Sequence, residues 1–272
     1  MLPAGAEETP TSEIAPADLR ANAPEGTFLE AGAEPLITED SYKDGDISIK
    51  ITRYRDEESR SNITIADIYL SNVTYLRRGF ALGKWKGEMR SIKTIAADSN
   101  AILALTGDYS SLLDAGLVVA NGDVLRDSDN GVRENCLILL DGQMLTYKRR
   151  EMEVQDVINS GIWHSFLFGP ALLDGGQAIG EFDSKIRQTN PRTALGYYEP
   201  GHYSFVVVDG RSSKSRGMTL EQLSRFMLEL GCKTAYNLDG GQSAMLWFNG
   251  EVVNEPYRGG RRLTDIVFIG RE

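Results

Sequence analysis

The sequence predicts a mixed α+β fold: a mixed β-sheet core, extended by β-hairpins, that carries a parallel β-α-β crossover. Three observations lead there. Apolar and polar residues alternate in the two-residue period of half-buried strands, at Ile47, Ile49 and Ile51 and again at Ile63, Ile65 and Ile68. Asn-Gly and Asp-Gly pairs separate short apolar runs, the spacing of tight hairpins. One helix with clear start and stop signals lies between two strand-like runs, the signature of a crossover unit.

Residues 1–45 stand outside this pattern. The stretch to Asp46 holds eleven acidic residues against two basic ones, Arg20 and Lys43, and five of the nine prolines. Such a charge balance, with few large apolar side chains, does not offset the entropy lost on folding. The expectation is a disordered linker over 1–45 and one domain over 46–272. The alternative is a segment that wraps the domain and docks through Phe28 and Leu36. No signal peptide is read at Met1. The Ala/Glu/Pro-rich start is expected to be a stalk whose membrane anchor lies outside this chain, making the protein secreted or cell-surface.

Within the domain, residues 46–54, 62–70 and 101–105 read as strands, the last leading into Thr106-Gly107-Asp108-Tyr109. Residues 116–120 before Asn121-Gly122, and 136–140 with 144–147 around Asp141-Gly142, read as hairpins. Residues 151–160 suit a short helix. Residues 204–208 form an apolar strand ending in Asp209-Gly210-Arg211. Thr219 then caps a helix, with Gln222 three residues on completing a capping box. Leu220, Leu223, Phe226, Met227 and Leu230 mark its apolar face, and Gly231 ends it. Residues 234–238 are the next strand, ending in Asp239-Gly240-Gly241, and 244–253 fold back as a hairpin around Asn249-Gly250.

The crossover has a chemical consequence. Parallel strands present their carboxyl ends at one edge, where open sheets bind ligands. Asp209 and Asp239, each just past a strand, are therefore expected to face one crevice. Two carboxylates one or two strands apart suit glycoside hydrolysis. Asp-Gly occurs five times here and most such pairs only make turns; the shared edge sets these two apart. Asp239 also precedes two glycines, which let backbone N–H groups approach an anion.

Composition removes several alternatives. The 272 residues carry a formal charge of −10, which argues against nonspecific nucleic-acid binding. Two cysteines, Cys136 and Cys232, make no disulfide scaffold, and two histidines, His164 and His202, make no multi-histidine metal centre. The apolar runs are strand-sized, short of the roughly 20 residues of a membrane helix. No cofactor and no metal is predicted.

The run Asn237-Leu238-Asp239-Gly240-Gly241-Gln242-Ser243-Ala244-Met245 resembles the signature of the phosphodiester glycosidase family. Asp67-Ile68-Tyr69-Leu70, Gly107-Asp108-Tyr109, residues 168–172, 191–196, 206–211 and 218–223 agree with it in order, so the resemblance covers about residues 47–270. Thr106, Gln242 and Ala244 depart from the family pattern. The resemblance implies hydrolysis of a sugar 1-phosphodiester, such as that of N-acetylglucosamine, at the anomeric C–O bond, with an exported or cell-surface glycan phosphodiester as the partner. The leaving phosphate, with a second pKa of about 6, needs little protonation to depart. Arg192 and Arg211 offer planar forks for phosphate oxygens. Asp239 is placed at the anomeric centre, with Asp209 as second carboxylate and Arg192 completing the catalytic set. Asp108, Thr193, Asn237, Ser243, Gly240 and Gly241 are expected to bind substrate. Arg258, Arg261 and Arg262 are read as a solvated face, and His164 and His202 as structural. Three rivals stand: a serine hydrolase using Ser243, a metal-dependent phosphodiesterase using Asp108, Asp209 and Asp239, and a noncatalytic polysaccharide-binding protein.

Overall fold

The computed structural model describes residues 14–128, 134–148 and 151–271. Strands β1 (Leu36–Ile37), β2 (Ser41–Lys43), β3 (Ile47–Asp56) and β4 (Ser61–Leu70) come first. Next are β5 (Leu76–Phe80), helix α1 (Ile92–Asp98), β6 (Ala101–Thr106) and the hairpin β7 (Leu117–Ala120) and β8 (Asp123–Asp127). A second hairpin, β9 (Glu134–Leu139) and β10 (Met144–Lys148), is followed by α2 (Val154–Asn159), β11 (Ile162–Phe166), β12 (Leu173–Asp174) and β13 (Gln177–Ala178). The chain ends with β14 (Arg192–Glu199), β15 (His202–Val208), α3 (Leu220–Glu229), β16 (Thr234–Leu238), β17 (Leu246–Phe248), β18 (Glu251–Val252) and β19 (Asp265–Gly270).

Two sheets face each other across the core. One has strand order β1-β2-β3-β4-β15-β14-β16 and the other β18-β17-β6-β19-β5. Ile47, Ile49, Ile51, Phe205 and Val207 of the first pack on Leu103, Leu105, Leu246 and Val267 of the second. The outer face of the first sheet is covered by α3 through Leu220, Leu223, Phe226 and Met227, and that of the second by α1 through Ile92 and Ile95. The four layers thus run helix, sheet, sheet, helix, an α+β fold. A third sheet, β10-β9-β11, adds Cys136, Ile138 and Phe166 to the central core. Among the described residues no helix is long and apolar enough to cross a membrane.

Local chemistry behaves as the residue types dictate. Asn121-Gly122 and Asn249-Gly250 both take positive φ at both positions, as tight hairpins between right-twisted strands demand. Thr219 Oγ1 accepts the Gln222 N–H and Gln222 Oε1 accepts the Thr219 N–H, so both arms of the capping box form. The crossover is present with one refinement. β14 lies between β15 and β16 and is antiparallel to both, so β15 and β16 run parallel two strands apart, roughly 10 Å between axes. Every direct strand pairing among the described residues is antiparallel.

The expected disorder over 1–45 does not hold for its described part, residues 14–45; residues 1–13 lie outside the described residues. Leu19 is 3% exposed, donates its N–H to the Ser71 carbonyl at 2.8 Å and packs on Gly142, where an added Cβ would come within 2.8 Å of Leu19 Cδ1. β2 extends the sheet beside β3. Acidity does not prevent this because it is locally compensated: Arg271 pairs with Asp44 at 2.8 Å and Asp46 at 3.0 Å, and Arg20 pairs with Asp46. The wrapping alternative describes the segment, but Leu19 and Tyr42 anchor it, while Leu36 is 58% exposed. Cys136 and Cys232 are buried and free.

Candidate active site

The turn after β16 builds the site. Asp239 ends the strand and Gly240 follows; a Cβ there would lie 2.7 Å from the Pro191 carbonyl oxygen, so the chain passes this closely only as glycine. The Gly241 N–H donates to that same carbonyl at 2.9 Å. One of the two expected backbone donors is thus spent on the loop.

Asp239 is 8% exposed. Its Oδ2 accepts from Arg261 Nη2 at 2.7 Å, while Arg261 Nε donates to Ser243 Oγ, which in turn bonds the Asp239 carboxyl. Burial pushes the Asp239 carboxyl up, and the Ser243 and Arg261 bonds pull it back. The Arg261 guanidinium also lies over Tyr109, 5.7 Å from the ring centroid. Tyr109 has φ 61°, uncommon for a bulky side chain. That backbone is held by the Asp265 carboxylate, which accepts the N–H groups of Asp108 at 3.0 Å and Tyr109 at 3.3 Å. Asp265 is itself paired with Arg78 at 2.7 Å in the interior.

Two more arginines reach the same place. Arg192 begins β14, between the ends of β15 and β16. Its Nε donates to the Met218 carbonyl at 2.8 Å and its Nη2 to the carbonyls of Ile186 and Gln188. Burial pushes its pKa down to about 10. Arg211 donates from Nη2 to Asn190 Oδ1 at 2.6 Å and stacks on Tyr257 at 5.4 Å. A cleft of about 330 Å³ is lined by Arg192, Arg211, Arg261, Asp239, Asn237 and the Gly240-Gly241 turn. Asp239 is the one carboxylate among the described residues that line it.

The other predicted residues divide. Asn237 lines the cleft; its Nδ2 donates to the Gly169 carbonyl at 2.8 Å while its buried Oδ1 has no partner in the protein. Ser243 is fully buried and stands behind Asp239 as a positioning residue. Three expectations are corrected. Asp209 shares the sheet edge but not the cleft. It follows Val207 at the strand's two-residue period and so faces the opposing sheet, where Asn254 Nδ2 donates to it at 2.7 Å and the Glu255 N–H at 3.1 Å. It lines a separate cleft of about 640 Å³. Thr193 is fully buried on the inter-sheet side, one residue out of phase with Arg192, and does not line the cleft. Asp108 is wholly buried and accepts the N–H groups of Leu167 and Phe168 at 2.8 Å, so it clamps two loops instead of meeting substrate.

Two of the rivals, the metal-dependent phosphodiesterase and the serine hydrolase, lose their geometry with these corrections. Asp108, Asp209 and Asp239 do not converge, and the described residues hold no cluster of three metal-capable side chains. Ser243 has no histidine beside it. His164 bonds Asn121 and the Leu76 carbonyl, and His202 sits at the opposite end of β15, stacked on Tyr69 and Tyr198 and bonded to Asp67 at 2.7 Å. Residue reasoning missed Arg261, read as a solvated face, and Tyr109, Asp265 and Arg78 behind it. No sequence period links position 261 to 239; only Tyr109, next to the noted Gly-Asp pair, was within reach.

A family model for phosphodiester glycosidases matches residues 96–270. The chain belongs to the phosphodiester glycosidase family. Among relatives of this family member, the human N-acetylglucosamine-1-phosphodiester alpha-N-acetylglucosaminidase is 25% identical over 224 residues, covering 76% of this chain and 43% of that protein. The SPbeta prophage-derived uncharacterized protein YomE of Bacillus subtilis (strain 168) is 31% identical over 145 residues, 51% of this chain and 22% of that protein. The chain thus spans less than half the length of these relatives. The fold is similar to the catalytic domain of the zebrafish N-acetylglucosamine-1-phosphodiester alpha-N-acetylglucosaminidase, solved auto-inhibited by its pro-peptide. The TM-score is 0.66 at 19% identity, over 84% of this chain and 83% of that one.

Proposed function

We propose that this phosphodiester glycosidase hydrolyses a sugar 1-phosphodiester, of the N-acetylglucosamine type, at the anomeric C–O bond. The observation that carries the proposal is the pairing, in one cleft, of a single buried carboxylate with three guanidinium groups. The Asp239 carboxylate stabilises the positive charge that develops at the anomeric carbon. Arg192 and Arg211 hold the phosphate, with Arg192 offering the Nη1 that has no protein partner among the described residues. Water adds its oxygen to the anomeric carbon and releases one proton to solvent, the C–O bond breaks with its electrons passing to the phosphate, and a phosphomonoester leaves. A lone carboxylate suffices because the phosphate departs without a strong general acid. This replaces the two-carboxylate arrangement that Asp209 was expected to complete.

Hydrolysis of an N-acetylglucosamine 1-phosphodiester in heavy-oxygen water tests the proposal. Label is expected in the sugar; label in the phosphate means P–O cleavage and defeats it. Asp239→Asn is expected to fold and to lose about a thousandfold or more in kcat.

A further inference from the structure

We propose that Gln242 is a positioning residue: its side-chain amide ties the loop 256–260 to the turn after β16 and so holds Arg261 on Asp239. This deepens the proposed function and rests on Asp239 being the working carboxylate of the cleft. Gln242 is one of the positions that depart from the family pattern, so the tie belongs to this chain and not to the signature.

Two turns meet here. Asp239, Gln242 and Ser243 stand on one, in and before the short 3-10 turn Gly241–Ser243. Gly260 and Arg261 stand on the other, just past the 3-10 turn Tyr257–Gly259. Gln242 Nε2 donates to the Gly260 carbonyl at 2.9 Å. One residue on, Arg261 Nη2 donates to Asp239 Oδ2 at 2.7 Å and Arg261 Nε donates to Ser243 Oγ. The amide meets that carbonyl through its N–H₂ end, because a carbonyl oxygen only accepts.

Little else fixes this backbone. Arg258, Gly259 and Gly260 all have positive φ, at 53°, 76° and 83°. Two glycines in a row give the loop many alternative conformations, and the left-handed backbone of Arg258 is strained. The Gly259 N–H reaches the Pro256 carbonyl at 3.0 Å and the Gly260 N–H the Tyr257 carbonyl at 3.1 Å, both inside the loop. Arg211 meets the loop at the Tyr257 ring, and Met245 packs on Gly260 without a directional bond. Among the described residues, the Gln242 bond is the one hydrogen bond that reaches the main chain of 256–260 from outside it.

Arg261 needs this support. Its side chain is 42% exposed, and an exposed ion pair gains little while giving up the freedom of a long side chain. Fixing the backbone next to it removes part of that loss in advance. The effect is felt at Asp239, where burial pushes the carboxyl up and Arg261 helps to pull it back. Arg192 and Arg211 in the cleft and Asp265 nearby are the other charged groups that face Asp239, and none of them is bonded to Gln242.

Gln242 also lines the cleft, so direct contact with substrate is the alternative to separate. The test follows the Asp239 carboxyl carbon by NMR as pH is varied, in the substrate-free whole protein, with Asp239→Asn supplying the assignment. Gln242→Gly removes the side chain; Gln242→Met keeps its length and removes the donor. Both are expected to raise the Asp239 titration midpoint by about half a pH unit, and the acid limb of kcat/KM with it. In an Arg261→Met background neither is expected to move it further. An unmoved midpoint in both variants, a parental midpoint in Gln242→Met, or a shift of the same size in the Arg261→Met background would each overturn the proposal. The NMR titration needs no turnover, so failure of the hydrolysis itself is read separately, by the heavy-oxygen experiment.

Discussion

Replacing Asp108 by alanine takes away the acceptor for two buried backbone N–H groups. Oδ1 accepts both the Leu167 and the Phe168 N–H at 2.8 Å, and Oδ2 shares the Leu167 N–H at 2.9 Å. Each orphaned buried donor costs about 1–3 kcal/mol, so Asp108→Ala is expected to lose about 2–6 kcal/mol of stability. Asparagine acts differently. With its oxygen in the Oδ1 place it keeps both main bonds and gives up only the shared arm. It also removes a buried charge. Burial pushes the Asp108 carboxyl up to about 7; Asp265 adds to the rise, while Arg78 and the two N–H groups oppose it. A folded value above the unfolded one means that Asp108 favours the folded state below the ordinary carboxylate range, and that this contribution is lost as pH rises through about 7. Asp108→Asn has no such loss. Its stability relative to the parent protein is therefore expected to improve between about pH 4 and 7 and to level off above. Urea unfolding at pH 5 and pH 8, with kinetics on a small diester, measures both effects. An alanine variant that keeps the parental urea midpoint but raises KM would refute the clamp and restore Asp108 as a substrate ligand. An asparagine variant with the same deficit at both pH values would refute the charge argument.

Arg261→Met leaves the burial of Asp239 less opposed, so its carboxyl rises further and less of it is ionised at a given pH. The acid limb of the kcat/KM profile is expected to move to higher pH; an unmoved limb would show that the ion pair does not set the ionisation of Asp239. Asp209→Asn is expected to keep turnover within a few-fold, because the residue lies outside the cleft, while costing about 1–2 kcal/mol through the lost Glu255 N–H bond. A large loss of kcat in a variant that melts normally would return Asp209 to the chemistry. Leu19→Ala empties the seat on Gly142 and is expected to cost about 2–3 kcal/mol. Limited proteolysis should then cut within residues 20–35 before the domain unfolds, and unchanged protease resistance would show that Leu19 does not anchor the segment.

The elements written in short-range chemistry were legible in advance: the Asn-Gly hairpins, the Thr219–Gln222 box, and the strand–helix–strand unit that brings Asp209 and Asp239 to one edge. Within the candidate site, Asp239, Gly240, Arg192 and Arg211 were also legible, from the strand end and the family signature. Less visible was everything that depends on phase and long-range partners. A one-residue difference in strand phase decides whether a side chain past a strand end faces the opposing sheet, as Asp209 does, or the cleft, as Asp239 does. The order of residues 14–45 turned on Arg271, at the far end of the chain, whose charge makes Asp44 and Asp46 affordable there.

By itself the sequence determined ten or so of the strands and helices, though not helix α1 or strands β5, β11 and β19, and that a carboxylate followed by two glycines ends one of them, because propensity, alternation and capping act between near neighbours. Tertiary structure alone decided that Arg261, 22 residues on, pairs with that carboxylate, and that Arg78 and Asp265 hold the strained Tyr109 against it. Electrostatic contacts depend on distance in space, and nothing in the spacing of a chain encodes which charges its folding will bring within 3 Å of each other.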